Sequence, residues 1–420
     1  MLKKYIKSDF LRNVIILISS SGISQMIPFL TLPFLQRYFY TPENFGLLSI
    51  YVSISLMLVK FSTFSYEFAI VKQKTEYDAL SIFKGTYQIL IMITIIILVA
   101  ISILYFFVEH NFYVKSLQIY IFLVPVTVLS FGFYQILRYW FNWKNEFSKI
   151  GASMIYKSTG AESLKLVQGF LKFTDFGLII GRVFGEIVSS IYLFIIFIKD
   201  NYLKLKKIKR VDVFSLLKKN YKFPAYTMPS GLKGTLLHVI LISLFAKYFS
   251  MKDAGLIGVS VSYISVAFGI ISQSFSQVFF KKINDLEDKQ LFSILKKNVI
   301  ILVGISIVVL VFVQLIPNSI VIKILGERWS EFMPVLKILI FAISISFVSS
   351  SVSFIYIRTD RQKEMLFFDI IHIILVSFAI IIGHNLTHDF IQTLKYYVVA
   401  QIAYYVFAIF LSFYFSKKIQ

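Results

Sequence analysis

Apolar runs long enough to cross a bilayer recur from one end of this chain to the other. As helices, runs of about 20 residues span the ~30 Å of hydrocarbon. They fall near residues 14–35, 45–66, 82–107, 117–139, 149–171, 176–198, 225–248, 254–278, 293–316, 331–356, 364–383 and 390–415. Backbone polar groups in lipid must be satisfied within the span, so such runs fold as helices. An unusually apolar soluble protein is the competing reading, and composition decides against it. Hydrophobic residues make up 57% of the 420 and charged residues 15%, against ~45–50% and ~25% in soluble domains. The fold expected is therefore an all-α polytopic membrane protein of about twelve transmembrane helices. The run at 149–171 is the least regular, because Lys157, Glu162 and Lys165 interrupt it.

The net charge of +21 sits in short basic clusters between apolar runs, with no basic domain to hold a duplex. These are topology signals facing anionic headgroups, and nucleic acid is not an expected partner. The chain has no cysteine, which excludes disulfides, thiolate chemistry and Cys-based metal sites. Lys3, Lys4, Lys7 and Arg12 precede an apolar stretch too long for a cleaved signal core, so the N-terminal run is read as an uncleaved first span. With twelve spans and the N-terminus inside, most basic residues lie in the cytoplasm, nine of them between Lys199 and Lys222. Arg37, Lys115, Lys172, Lys247, Lys252, Lys323 and Arg328 are left outside. That asymmetry supports an even number of spans with both termini cytoplasmic. The loops are too short for a soluble catalytic domain.

The two halves of the chain resemble each other. LPFLQRYFYTPENFGLLSIY (32–51) aligns with ISLFAKYFSMKDAGLIGVS (242–260), matching Arg37-Tyr38-Phe39 to Lys247-Tyr248-Phe249 and Gly46-Leu47 to Gly255-Leu256. Six spans separate the copies, so the repeats are parallel, related by an axis along the membrane normal. The expected organisation is an N-lobe over 1–198, a basic cytoplasmic linker over 199–224 and a C-lobe over 225–420. Two six-helix lobes form the usual frame for alternating access around a site near the midplane.

The segment LTLPFLQRYFYTPENFGLLSIY and the second span's ending, YEFAIVKQKTEYDA (66–79), resemble the first two helices of Wzx-type O-antigen flippases. These belong to the multidrug/oligosaccharidyl-lipid/polysaccharide (MOP) exporter superfamily. KFPAYTMPSGL (222–232) is similar to the start of that family's seventh helix, and SQSFSQVFFKKIND (272–285) to the end of its eighth. RYWFNWKNEFSKI (138–150) fits the fourth-to-fifth connection. The likeness covers nearly the whole chain. It implies a MATE-like fold and export of an undecaprenyl-pyrophosphate-linked oligosaccharide, the repeat unit of O-antigen or capsule, from inner to outer leaflet of the bacterial inner membrane. A polysaccharide polymerase and a chain-length regulator are the protein partners it implies, and no cofactor.

A charge at the bilayer centre costs at least ~2.5–3.5 kcal/mol, so each one calls for a reason. Lys337 and Lys395 lie near helix ends and can snorkel. Lys60 lies six residues from the inner end of the second span and either snorkels or lines a cavity. Glu162 and Lys165 share a helix face and can pair, whereas Lys157 has no acid at helical spacing. Either the fifth span carries a neutralised pair and a snorkelling lysine, or it lines a cavity with cations for a pyrophosphate. Arg182 and Glu186 should pair beside a stripe of Gly177, Gly181 and Gly185 that admits a close neighbour, as a structural ion pair or a gate. Lys233 and His238 lie on the seventh span, which lines the central cavity in this superfamily. Ser272, Gln273 and Gln277 on the eighth span can hydrogen-bond sugars or glue helices together. Asp369 and His372, three apart on the eleventh, can take up a proton or form a packing pair.

The reading is a flippase with a cationic cavity formed by Lys60, Lys157, Lys165 and Lys233, and not an enzyme. Fixed cations there offset the loss of water around the pyrophosphate. One rival is a multidrug cation antiporter of the same fold, which calls for a mainly acidic or aromatic cavity. The other is a membrane-embedded polysaccharide-processing enzyme, for which no helix assembles a nucleophile with its base.

Overall fold

The computed structural model describes residues 9–108, 110–284, 288–359 and 361–418, and the description below is of these. They form helices α1 (Asp9–Tyr38), α2 (Pro42–Ser62), α3 (Glu67–Val71), α4 (Glu76–Phe107), α5 (Phe112–Leu117), α6 (Leu123–Trp143), α7 (Phe147–Phe170), α8 (Gly177–Lys207) and α9 (Arg210–Lys219). There follow α10 (Met228–Tyr248), α11 (Met251–Asn284), α12 (Asp288–Leu315), α13 (Asn318–Leu325), α14 (Phe332–Val352), α15 (Ile355–Arg358), α16 (Gln362–Thr387) and α17 (Phe390–Lys418). No strand occurs among the described residues. A long helix stands at each of the twelve apolar runs. Among the described residues, nine stretches are long and apolar enough to cross a membrane. Of the long helices outside these, α7 is the polar one, interrupted by Lys157, Glu162 and Lys165.

The chain divides into two compact units, Met1–Tyr40 with Leu47–Val239, and Thr41–Gly46 with Ile240–Gln420. In the first, α7 packs between α1 and α8, α6 joins α8 to α4, and the short α3 lies against α4 and α6. Its core is aromatic at one end, where Phe83 stacks on Phe197 at 4.3 Å and Trp140 meets Phe197 edge-on at 5.4 Å. Deeper in, the Tyr51 hydroxyl donates to the Leu123 carbonyl at 2.9 Å and bonds the Thr127 hydroxyl at 2.6 Å, so its polar end is satisfied in an apolar surround. α2 stops at Ser62, earlier than the apolar run suggests, where Phe64 and Ser65 take left-handed backbone angles (φ 47° and 60°). Bulky residues pay for that conformation in strain, so the helix breaks sharply there.

In the second unit α14 is central, packed against α11, α12 and α17, with α16 alongside α17. Two helix starts are capped alike. The Thr41 backbone N–H and hydroxyl both donate to Asn44 Oδ1, at 2.8 and 3.2 Å. The Ser250 hydroxyl donates to Asp253 Oδ2 at 2.6 Å and accepts from the Asp253 backbone N–H at 3.1 Å. Within this unit Gly46 lies against the Met251 carbonyl and Gly255 against the Pro42 carbonyl, so close that a Cβ at either would collide with backbone.

The basic stretch 199–222 is not an open loop. α8 continues to Lys207, and α9 follows after two residues. Just before α10, residues 223–227 form one wide turn with i→i+5 geometry. Pro224 sits at its start, where the missing N–H favours such a bulge.

Candidate functional site

The charged cluster of the first unit is assembled by glycines. Gly177, Gly181 and Gly185 sit one turn apart along α8. A Cβ on Gly185 would stand 2.6 Å from the Lys157 carbonyl oxygen and 2.7 Å from the Ala161 side chain, and one on Gly181 would strike Lys165. The absence of side chains lets α7 and α8 touch backbone to backbone. That contact carries Lys157 over to α8, where its ammonium meets Glu186 Oε2 at 2.7 Å. Arg182, one turn before Glu186, reaches Oε1 at 3.2 Å. Lys157 has no acid at helical spacing on its own helix; its partner lies on another, outside the reach of spacing rules. Its ammonium also lies 4.4 Å from the ring centre of Phe131 and 5.4 Å from that of Tyr134. Ring faces are attractive to a cation that has left water.

The two cations and the acid differ in exposure. The Glu186 side chain is 0% exposed, whereas Lys157 is 23% and Arg182 34%. From outside, the cluster presents positive charge, with its one carboxylate underneath. Two turns further along α7, Lys165 pairs with Glu162 at 2.5 Å, as the three-residue spacing predicts. Glu162 Oε2 accepts from Thr31 of α1 at 2.8 Å, and the Lys165 carbonyl accepts from the Tyr40 hydroxyl at 2.7 Å. Lys165 is thus a neutralised, tied-down cation, while Lys157 shares its acid with an arginine.

The remaining expected residues fall elsewhere. Lys60 is exposed near the end of α2. It contributes to the field at Glu67 on α3, beyond the spans. Burial pushes that carboxyl up, against a hydrogen bond from Thr63 and the charges of Lys60 and Arg138. Lys233 and His238 are half-buried on α10, in the part assigned to the first unit. Ser272 bonds the hydroxyl of Ser351 at 3.0 Å, joining α11 to α14, while the side chains of Gln273 and Gln277 lie outside the described residues.

In the second unit a polar network crosses from α16 to α17. The Tyr404 hydroxyl donates to Asp369 Oδ1 at 2.8 Å. His372 stacks on the Tyr404 ring at 3.6 Å, and its Nε2 lies 2.9 Å from Gln401 Oε1. The Gln401 amide donates to the Tyr397 hydroxyl at 2.9 Å. The carboxyl and the imidazole are both buried, and both are held from α17. Tyr397, Gln401 and Tyr404 stand at i, i+4 and i+7, one polar stripe on an otherwise apolar helix. That stripe is visible in the sequence and marks the partners that pairing rules along α16 miss. No group of three or more His, Cys, Asp or Glu residues among the described residues could hold a metal ion.

This all-helical fold with buried charge inside its spans defines a multi-pass membrane protein of MATE-like architecture. The family described as "Polysaccharide biosynthesis protein" matches residues 10–230, and the chain belongs to it. An inward-facing multidrug-resistance MATE family transporter of the MOP superfamily is similar in structure with a TM-score of 0.74 at 12% identity, over 96% of each chain. The lipid II flippase MurJ in an inward closed conformation gives 0.60 at 13% identity, over 96% of this chain and 87% of that one. A MOP superfamily transporter from Pyrococcus furiosus, described as having a binding pocket of reversed polarity, gives 0.56 at 12% identity, over 97% and 96%. Among curated proteins none matches the sequence.

Proposed function

We propose that the protein is a flippase that carries an undecaprenyl-pyrophosphate-linked oligosaccharide, an O-antigen or capsule repeat unit, from the inner to the outer leaflet of the bacterial inner membrane. Membership of a polysaccharide biosynthesis family supports a saccharide cargo. The observation that carries the anionic headgroup is the Lys157–Glu186–Arg182 cluster, whose buried carboxylate is shared by two more exposed cations. One positive charge is left over, and it stands where a pyrophosphate can replace lost water with fixed charge. Lys60 and Lys233 add cations of the same unit, and Lys165 adds little because Glu162 neutralises it. A cation antiporter, the reading suggested by fold likeness to a multidrug transporter, would face repulsion at this cluster.

The test separates charge from folding. A deletion strain should accumulate lipid-linked oligosaccharide on the inner face, cleared by the wild-type gene. Glu186→Gln leaves Lys157 short of its acid and should destabilise the protein by about 3–5 kcal/mol, the usual cost of breaking a buried pair. The triple variant Lys157→Met, Arg182→Met, Glu186→Leu removes the surplus charge together with the buried acid, and it should recover protein levels but not export. Normal export by that triple variant would remove the cluster from the transport path.

A further inference from the structure

Helix α9 and the end of α8 carry surface that the transport reading does not use. α9 is fixed to the first unit on one side only. Val213 and Leu217 fill the space above Gly85 of α4, where a Cβ would stand 2.8 and 2.9 Å from them. The Tyr77 hydroxyl donates to Asp212 Oδ2 at 2.5 Å. Lys84 donates to the carbonyls of Leu205 and Ile208, at 3.3 and 3.0 Å, closing the end of α8. The opposite face is bare: Val211 is 77% exposed and Phe214 70%. Lys206, Lys207, Lys209, Arg210, Lys218 and Lys219 surround it, all exposed.

Its depth follows from what holds it. Gly85 is the first residue of a stretch, 85–108, with no charged side chain, so α9 rests where α4 enters hydrocarbon. A helix at that level with an apolar centre and a basic rim has the composition of an interfacial helix. The cytoplasmic leaflet supplies the complementary negative charge, whereas a protein partner would leave the basic rim without a stated counter-charge.

We propose that the outward face of α9 is a binding surface for anionic phospholipid. Val211 and Phe214 enter the acyl boundary, and the surrounding Lys and Arg side chains bind headgroup phosphates. The linker is then a lipid-dependent anchor for the first unit.

The chain has no cysteine, so one substitution places one spin label. Phe214→Cys, and Lys219→Cys as a control on the flank, are labelled in the full protein. Each is put into nanodiscs of phosphatidylcholine alone or with phosphatidylglycerol. With phosphatidylglycerol, the label at 214 should collide with oxygen and be protected from a water-soluble nickel chelate, by about threefold or more relative to 219. Changing Lys206, Lys207, Arg210 and Lys218 to Gln should abolish that protection. Equal nickel accessibility at 214 and 219 would overturn the proposal, as would protection that ignores both lipid charge and the Gln variant. Shielding from oxygen and nickel alike in native membranes, absent in nanodiscs, would assign the face to a protein instead.

Discussion

Asp369 accepts a hydrogen bond from Tyr404, and the His372 ring lies flat on that same tyrosine. A buried carboxyl and a buried imidazole thus share one aromatic neighbour, with Gln401 bonded to the imidazole. We propose Asp369 and His372 as the proton-coupling residues of the flippase. Asp369→Asn keeps the acceptor for Tyr404 but cannot ionise. It should abolish the dependence of transport on a pH gradient in reconstituted vesicles while leaving part of downhill exchange intact. Unchanged pH dependence would point to sodium, or to product removal alone. At this scale spacing along one helix showed the Glu162–Lys165 and Arg182–Glu186 pairs, because i,i+3 and i,i+4 neighbours must meet. It could not show Glu186 to Lys157, or Tyr404 to Asp369, since those contacts depend on which helix faces which.

Among the helices, the glycine stripe of α8 was legible in full: small residues one turn apart announce a neighbour, and α7 is that neighbour. Gly185→Ala inserts a methyl against the Lys157 carbonyl and Ala161, where backbone cannot yield cheaply. It should destabilise the protein by about 1–3 kcal/mol, as overpacking does, measured as a lower melting temperature in detergent. At Gly160 a Cβ would meet Phe184 and Val188 at an ordinary 3.6 Å, so Gly160→Ala should melt near wild type. Helix ends were less legible. Hydropathy follows side chains, while ends follow backbone: left-handed Phe64 and Ser65 stop α2 early, and Lys84 holds the last carbonyls of α8 after its sequence has turned basic.

For the whole molecule, the even number of spans and the placement of basic residues give a topology that can be checked directly. The break between α8 and α9 supplies a junction on the basic side. A reporter active only in the cytoplasm should work when fused after Lys209 and fail after Glu327; the reverse pattern would overturn the twelve-span arrangement. The two helix starts aligned in the sequence each carry a side-chain cap. The glycines that follow them are both pressed against carbonyls. Pro42 meets Gly255 as Met251 meets Gly46, the reciprocity of an isologous contact, which is the signature of a two-fold dimer. Because the contact is reciprocal, it fixes two positions at once, and neither is free to drift: a side chain gained at one would strike the carbonyl opposite however faithfully the other is kept.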